Sequence, residues 1–444
     1  MTIRLSDHFT YGKLFRFTLP SIAMMIFTSI YGVVDGFFVS NFVGETPFAA
    51  INFIMPFIMI LGSFGFMFGT GGSALISKTM GEGNRERANR LFSMLTYTSL
   101  GVGALVAVLG VIFVRPLAAA LGAEGAMLDD CVTYARIILA ATPAFMLQQE
   151  FQSFYITAEK PQMGLITTIA AGVMNMVLDA LFIAGFGWGV AGAALATALS
   201  QVVGATVPLV YFALPNTSLL RLGAPFFDGR ALLKACTNGS SELMSNAAMS
   251  IVGMLYNVQL MKYAGEPGVA AYGVMMYVGM IFVAIFIGYS IGTAPVIGYH
   301  YGAKNEGELK SLLKKSLAIT GVISVSMLVL SFSLARPLSL IFMSQSPETL
   351  EITVHGFKIF SFQFLFCGIA IFGSSFFTAL NNGLISALIS FLRTLVFQLA
   401  AIMLLPLIWK PAVDGIWLSV VVAEVSAAAL TLVFLAANKK RYGY

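Results

Sequence analysis

Apolar residues run along this chain in long unbroken stretches, with neither the alternation of a half-buried strand nor the single apolar face of a soluble helix. Stretches able to cross about 30 Å of hydrocarbon, roughly 20 residues each, recur near 17–39, 49–77, 91–114, 131–154, 164–186, 191–214, 236–262, 270–299, 313–335, 351–377, 384–408 and 416–437. The pattern predicts an all-α integral membrane protein of twelve transmembrane helices. Two stretches, 49–77 and 270–299, are too long for a straight span and either extend past the lipid or bend, with Pro56 and Pro295 as candidate bends.

Composition sharpens this reading. Of 444 residues, 58% are hydrophobic and 10% are charged, against about 25% charged in soluble domains. So few charges cannot cover a globular surface, which excludes a soluble enzyme, a nucleic-acid binder and a secreted disulfide scaffold. The net charge of +5 reads as topology rather than as an acidic partner. With the N-terminus inside, eighteen of the 25 Lys and Arg fall on the inner side. Arg115, Arg136, Lys262, Arg336, Lys358 and Lys410 fall on the outer side, and Arg393 lies within a span. Both termini are therefore expected in the cytoplasm, and the cell membrane is the expected location. Residues 1–17 are polar and lack a cleavage site, so no signal peptide is expected. Cys131, Cys236 and Cys367 have no metal-binding spacing and read as packed free thiols.

The chain repeats itself at an offset of 221. Glu45, Ala49 and Ala50 match Glu266, Ala270 and Ala271; Gly71 matches Gly292; Gly81 and Asn84 match Gly302 and Asn305. Arg115-Pro116 falls on Arg336-Pro337, and Thr157-Ala158 on Thr378-Ala379. Each half holds an even number of spans, so both enter the membrane in the same direction. Such parallel repeats belong to transporters, whose two bundles rock about a site between them. The expected organisation is a six-helix bundle over 1–214, a cytoplasmic linker over 215–235 and a second six-helix bundle over 236–444.

Ionisable residues inside spans are functional candidates because they are costly there. Asp35 lies deep in the first span and Asp179 in the fifth. Asn175 and Asp179 are four residues apart, as are Tyr31 and Asp35, so each pair shares a helical face. Two aspartates in one apolar bundle can hold a proton, or a Na⁺ with help from Asn175 and a hydroxyl; helix-joining hydrogen bonds are the structural alternative. Glu242, near the start of the seventh span, is a further candidate, with snorkelling or helix capping behind Asn238 and Ser240 as the alternatives. Glu150 and Glu424 are expected partners for Arg393. His8, His300 and His355 stand apart from other ligands, and Gly69-x-Gly71-Gly72 reads as a close-packing element within its span. Neither an enzyme nor a cofactor is expected, and with no nucleotide motif the energy must come from an ion gradient.

The twelve spans in two repeats resemble the multidrug and toxic compound extrusion (MATE) family over essentially the whole length. The residues that carry the resemblance are Pro20, Val34-Asp35-Gly36, the loop Gly81-x-x-Asn84 with its copy, Asn175-x-x-Leu178-Asp179 and Asn238-Gly239-Ser240-Ser241-Glu242. It implies a V-shaped pair of pseudo-symmetric bundles that export organic cations against inward H⁺ or Na⁺. It also implies a cation site at Asp35, Asn175, Asp179 and Thr197. Some members place a second carboxylate in the tenth span; Gln363 stands there in this chain, and Glu242 is the candidate to take that role. The expected cavity between bundles is lined by Phe27, Phe53, Phe57, Tyr256, Met275, Met276 and Met280, since Met and aromatic surfaces adapt to flat cations. Expected partners are organic cations and membrane lipids, with no nucleic acid, around a monomer. A lipid-linked saccharide flippase of the same superfamily is the alternative. It would need basic residues for a pyrophosphate, and the first, second and eighth spans offer none beyond Arg16.

Overall fold

Backbone groups in hydrocarbon have no water to bond, so each apolar stretch must satisfy its own N–H and C=O groups, and the helix does this within one segment. The structure is a computed structural model that describes residues 3–343 and 347–444. The first half contains α1 (Tyr11–Phe42), α2 (Glu45–Gly81), α3 (Arg85–Ala120), α4 (Gly125–Ala140), α5 (Thr142–Thr157), α6 (Pro161–Asp179) and α7 (Gly189–Ala213). The second contains α8 (Gly229–Gly302), α9 (Glu306–Met343), α10 (Pro347–Ser361), α11 (Phe364–Ala379), α12 (Gly383–Phe391), α13 (Phe397–Ile408) and α14 (Ala412–Tyr442). Two π-helical turns interrupt this pattern, Ala180–Gly185 after α6 and Leu392–Val396 between α12 and α13.

Among the described residues nine helices are long and apolar enough to cross a membrane, and two bent pairs, α4 with α5 and α10 with α11, bring the number to eleven. The 74-residue α8 is counted once there, although it leaves helical geometry at Gly265 (φ 65°, ψ −159°) and carries two expected spans. The twelve spans of the hydropathy pattern are thereby accounted for. Neither proline ends its helix. Both α2 and the second arm of α8 continue through Pro56 and Pro295. The chain turns instead by 57° between α4 and α5, where Pro143 opens α5, and by 48° between α10 and α11. At Gly265 the positive φ suits a residue without a Cβ, and Pro267 stands two residues on.

Helix starts are fixed by side-chain caps that satisfy the first free N–H groups. Asn84 accepts from the Arg87 N–H at 3.0 Å and its repeat mate Asn305 from the Glu308 N–H at 3.1 Å. Asp228 caps α8 by accepting from Arg230 and Ala231. Residues 229–235 of the expected linker are therefore the first turns of α8.

The two halves meet through glycines, in pairs that the 221-residue offset exchanges. A Cβ on Gly81 would stand 2.0 Å from the Tyr299 carbonyl oxygen, and one on Gly302 2.0 Å from the Lys78 carbonyl oxygen. The offset maps Gly81 onto Gly302 and Lys78 onto Tyr299. Gly71 likewise approaches Gly239, while Gly292 approaches Thr18, and the same offset relates these contacts. Such reciprocity is what a pseudo-twofold axis between parallel repeats produces. All these approaches lie towards the end of the molecule that carries the N-terminus and most basic residues, the basic end.

At that end the segment before α1 forms a strap. Leu5 and Phe9 are fully buried. The Leu5 N–H donates to Glu159 Oε1 at 2.6 Å, and the Phe9 N–H donates to Glu308 Oε1 at 2.9 Å. His8 Nδ1 lies 2.6 Å from Glu308 Oε2, and Lys315 donates to the Phe9 carbonyl. One strand of chain thus ties the α5–α6 turn to α9. At the far end, repeat-related arginines pair within each half: Arg115 with Asp129 at 3.2 Å and Arg336 with Glu351 at 3.7 Å.

Candidate functional site

The first half gathers polar side chains that its sequence neighbours would otherwise leave in hydrocarbon. Tyr31 and Asp35 come from α1, and Asn175 and Asp179 from one face of α6. Gly172 lets the two helices close: a Cβ there would stand 2.5 Å from the Phe27 ring and 2.9 Å from the Tyr31 ring. Asp179 is fully buried, and Asn175 is 1% exposed. Neither Asp179 oxygen nor Asp35 Oδ1 has an N–H or O–H donor among the described residues. The two carboxyl groups instead stand within hydrogen-bonding reach of each other. Facing carboxyl groups share a hydrogen bond when one carries a proton, and a small cation between them serves the same purpose. Beside them Asn175 Nδ2 donates to Thr197 Oγ1 at 3.5 Å, which ties α6 to α7.

Tyr134 of α4 was not foreseen. It is 1% exposed and lies in the field of both Asp35 and Asp179 without a hydrogen bond to either among the described residues. Nothing in its spacing connects it to either aspartate; only the packing of α4 on α2, α3 and α7 brings it into their field.

The second half handles its buried charge differently. Arg393 sits in the π turn, and its Nε donates to both Glu424 oxygens at 2.8 and 3.0 Å. Glu242 lies in the field of Arg393 without contacting it. Because α8 begins at Gly229, Glu242 is nearly four turns inside the helix, which removes the capping alternative. Glu150 was expected to share Arg393 and does not. It is fully buried in the first half beside Ser99, with Gly69 packed on its backbone and no hydrogen-bond donor for either oxygen. The Gln363 side chain is buried, and its Nε2 has no partner among the described residues.

Two residues expected to line a cavity are turned into the core of the second half. Tyr256 is 1% exposed, donates to Gln398 at 2.8 Å, lies 2.7 Å from the Ser419 hydroxyl and stacks on Tyr272. Met275 is fully buried where Gly356 makes room for it beside Trp417. Their polar and apolar surfaces are already satisfied inside the bundle. Met276 and Met280, one face away on the same arm, are exposed. Phe27 rests on Gly172 near the aspartates, while Phe53 and Phe57 are half-buried against the far-end core of the first half. Outside the spans, burial pushes the Glu159 carboxyl up, and the Leu5 N–H and Arg4 pull against that shift.

Residues 20–181 and 243–403 match the MatE family profile, one segment in each half. The chain belongs to the MatE family. As a MatE protein it is a multi-pass membrane transporter. It is similar to the multidrug export protein MepA of Staphylococcus aureus strain MSSA476, 26% identical over 368 residues, which span 81% of this chain and 80% of the relative. MepA of Staphylococcus haemolyticus strain JCSC1435 is 26% identical over 314 residues, spanning 70% and 69%. Among solved structures, a MATE protein in the straight conformation superposes with a TM-score of 0.91 at 22% identity, covering 98% of each chain. A transporter of the MOP superfamily from Pyrococcus furiosus, described as having a binding pocket of reverse polarity, gives 0.91 at 22% identity, again over 98% of each chain. At these identities the likeness to solved structures is one of fold.

Proposed function

We propose that this MatE transporter exports organic cations by alternating access, in antiport with H⁺ or Na⁺, and that Asp35 and Asp179 bind the coupling ion. The observation that carries this reading is the pair of facing carboxyl groups: Asp179 is fully buried and Asp35 half-buried, and among the described residues neither Asp179 oxygen nor Asp35 Oδ1 has a donor and neither side chain has an ion-pair partner. Asn175, held by Thr197, is positioned to complete the shell of a bound Na⁺ or to fix the protonated acid. Tyr31 and Phe27 pack between the aspartates and the rest of α1, so a change of charge at Asp35 alters the packing of that helix on Gly172. The loaded ion neutralises the pocket and releases an organic cation drawn to the same negative charge. Met276 and Met280 are the remaining adaptable surface for flat cations. The name of the Staphylococcus relatives, multidrug export protein, supports the same substrate class. The excess of Lys and Arg at the basic end supports a cytoplasmic position for both termini in the cell membrane.

The test is efflux of a fluorescent organic cation from proteoliposomes, with a pH gradient or a Na⁺ gradient imposed alone. One gradient should drive efflux by the wild type, and Asp35→Asn should abolish it. Efflux by the mutant at the wild-type rate would remove Asp35 from the coupling mechanism. Failure of both gradients with the wild type would redirect attention to lipid-linked saccharides.

A further inference from the structure

An open cavity of about 700 Å³ lies at the basic end, where the strap, the tip of α2, the α5–α6 turn and the segment before α8 come together. Its wall carries Arg4 from the strap, Arg85 from the first turn of α3 and Lys160 from the α5–α6 turn. Four basic residues nearby are paired: Lys13 with Asp7, Lys78 with Glu82, Arg87 with Asp228 and Arg90 with Glu86. Arg4, Arg85 and Lys160 form no ion pair among the described residues. Lys160 Nζ donates to Thr217 Oγ1 at 3.2 Å, and Arg85 Nη2 reaches the Ser218 carbonyl at a long 3.4 Å. The one acid on the wall, Glu159, is turned to the Leu5 N–H.

Three like charges held around one cavity repel each other, and an anion between them converts that repulsion into attraction. Arginine forks and hydroxyl groups suit the several oxygens of a phosphate. Basic pockets at the ends of transmembrane helices stand at headgroup level, where anionic lipids are concentrated. The volume exceeds what a bare phosphate fills and leaves room for the glycerol of a headgroup. We infer that this cavity binds a phosphate-bearing anion, either the headgroup of an anionic phospholipid or free phosphate. The occupant would touch the strap, Met80 of α2 and Tyr299 of α8, and so join the two halves where their glycines interlock.

The test uses the full-length protein in neutral detergent, read by thermal unfolding and by native mass spectrometry. Phosphatidylglycerol, phosphatidylcholine and inorganic phosphate are added separately. Phosphatidylglycerol should raise the unfolding temperature and remain bound, and phosphatidylcholine should do neither. Arg4→Gln and Lys160→Gln should each weaken binding about fivefold, the ratio that about 1 kcal/mol per basic residue near an anionic surface implies. Arg4 makes no side-chain hydrogen bond or ion pair among the described residues, so its variant should unfold at the wild-type temperature without lipid. The double variant Lys439→Gln, Lys440→Gln, elsewhere on the same end, should retain wild-type binding. A shift by inorganic phosphate that these pocket variants remove assigns the free anion, and a shift by phosphatidylglycerol alone assigns the headgroup. No shift from either anion, or equal losses in the pocket and control variants, would overturn the inference.

Discussion

The two halves descend from one pattern and treat buried charge in opposite ways. In the first half, Asp35 and Asp179 face each other, and neither has an ion-pair partner among the described residues. In the second, Glu424 holds Arg393 through both oxygens, and Glu242 lies in the same field. A buried charge needs a partner; the second half carries its partner on its own chain, whereas in the proposed mechanism the first takes one from solution. A site that needs a mobile cation can couple to an ion gradient, and one with a tethered cation is a structural element. The duplication therefore kept the fold and let the two buried sites diverge.

The largest expected effect comes from removing the mobile-cation site. Asp179→Asn should reduce gradient-driven efflux to the level of protein-free vesicles while the purified protein keeps its unfolding temperature. An equivalent loss in Glu424→Gln at unchanged stability would erase the distinction between the halves. Next in size is stability in the second half. Glu424→Gln leaves the half-buried Arg393 without its partner, and the loss should be at most about 3–5 kcal/mol, the cost for a fully buried pair, read as a lower unfolding temperature. Replacing both partners, Arg393→Met with Glu424→Leu, should recover much of it. A smaller effect is expected at Asn175→Ala, which removes the bond to Thr197 worth about 0.5–1.5 kcal/mol. The apparent affinity for the coupling ion should fall several-fold, with the maximal rate retained. Glu242→Gln should be milder still: with Arg393 nearby, efflux should remain coupled to the gradient, and a collapse of coupling would move the ion site towards the second half.

Much of this was legible in the sequence because the bilayer imposes length. The twelve spans, the repeat and the shared face of Asn175 and Asp179 follow from apolar run length, a fixed offset and helical periodicity. Other features depend on which helix lies beside which, and no local pattern encodes that. Tyr134 joins the aspartates through tertiary packing alone. Glu150 and Glu424 looked equivalent as partners for Arg393, and only the placement of Glu150 beside Ser99 in the first half separates them. Tyr256 and Met275 sit on the two arms of α8, where exposed and buried faces differ by one residue, as Met275 and Met276 demonstrate. The bends at Ala141 and Gly265 were likewise hidden, since Pro56 and Pro295 are the more obvious breakers yet lie in unbroken helix.

The most direct test of the account is competition between ion and substrate on the purified protein. Binding of a fluorescent organic cation is followed by anisotropy while pH, or Na⁺ at fixed pH, is varied. The account predicts that one ion weakens binding in the wild type, and that Asp35→Asn and Asp179→Asn each remove the dependence. Dye binding that responds to the ion in both mutants as it does in the wild type would contradict it.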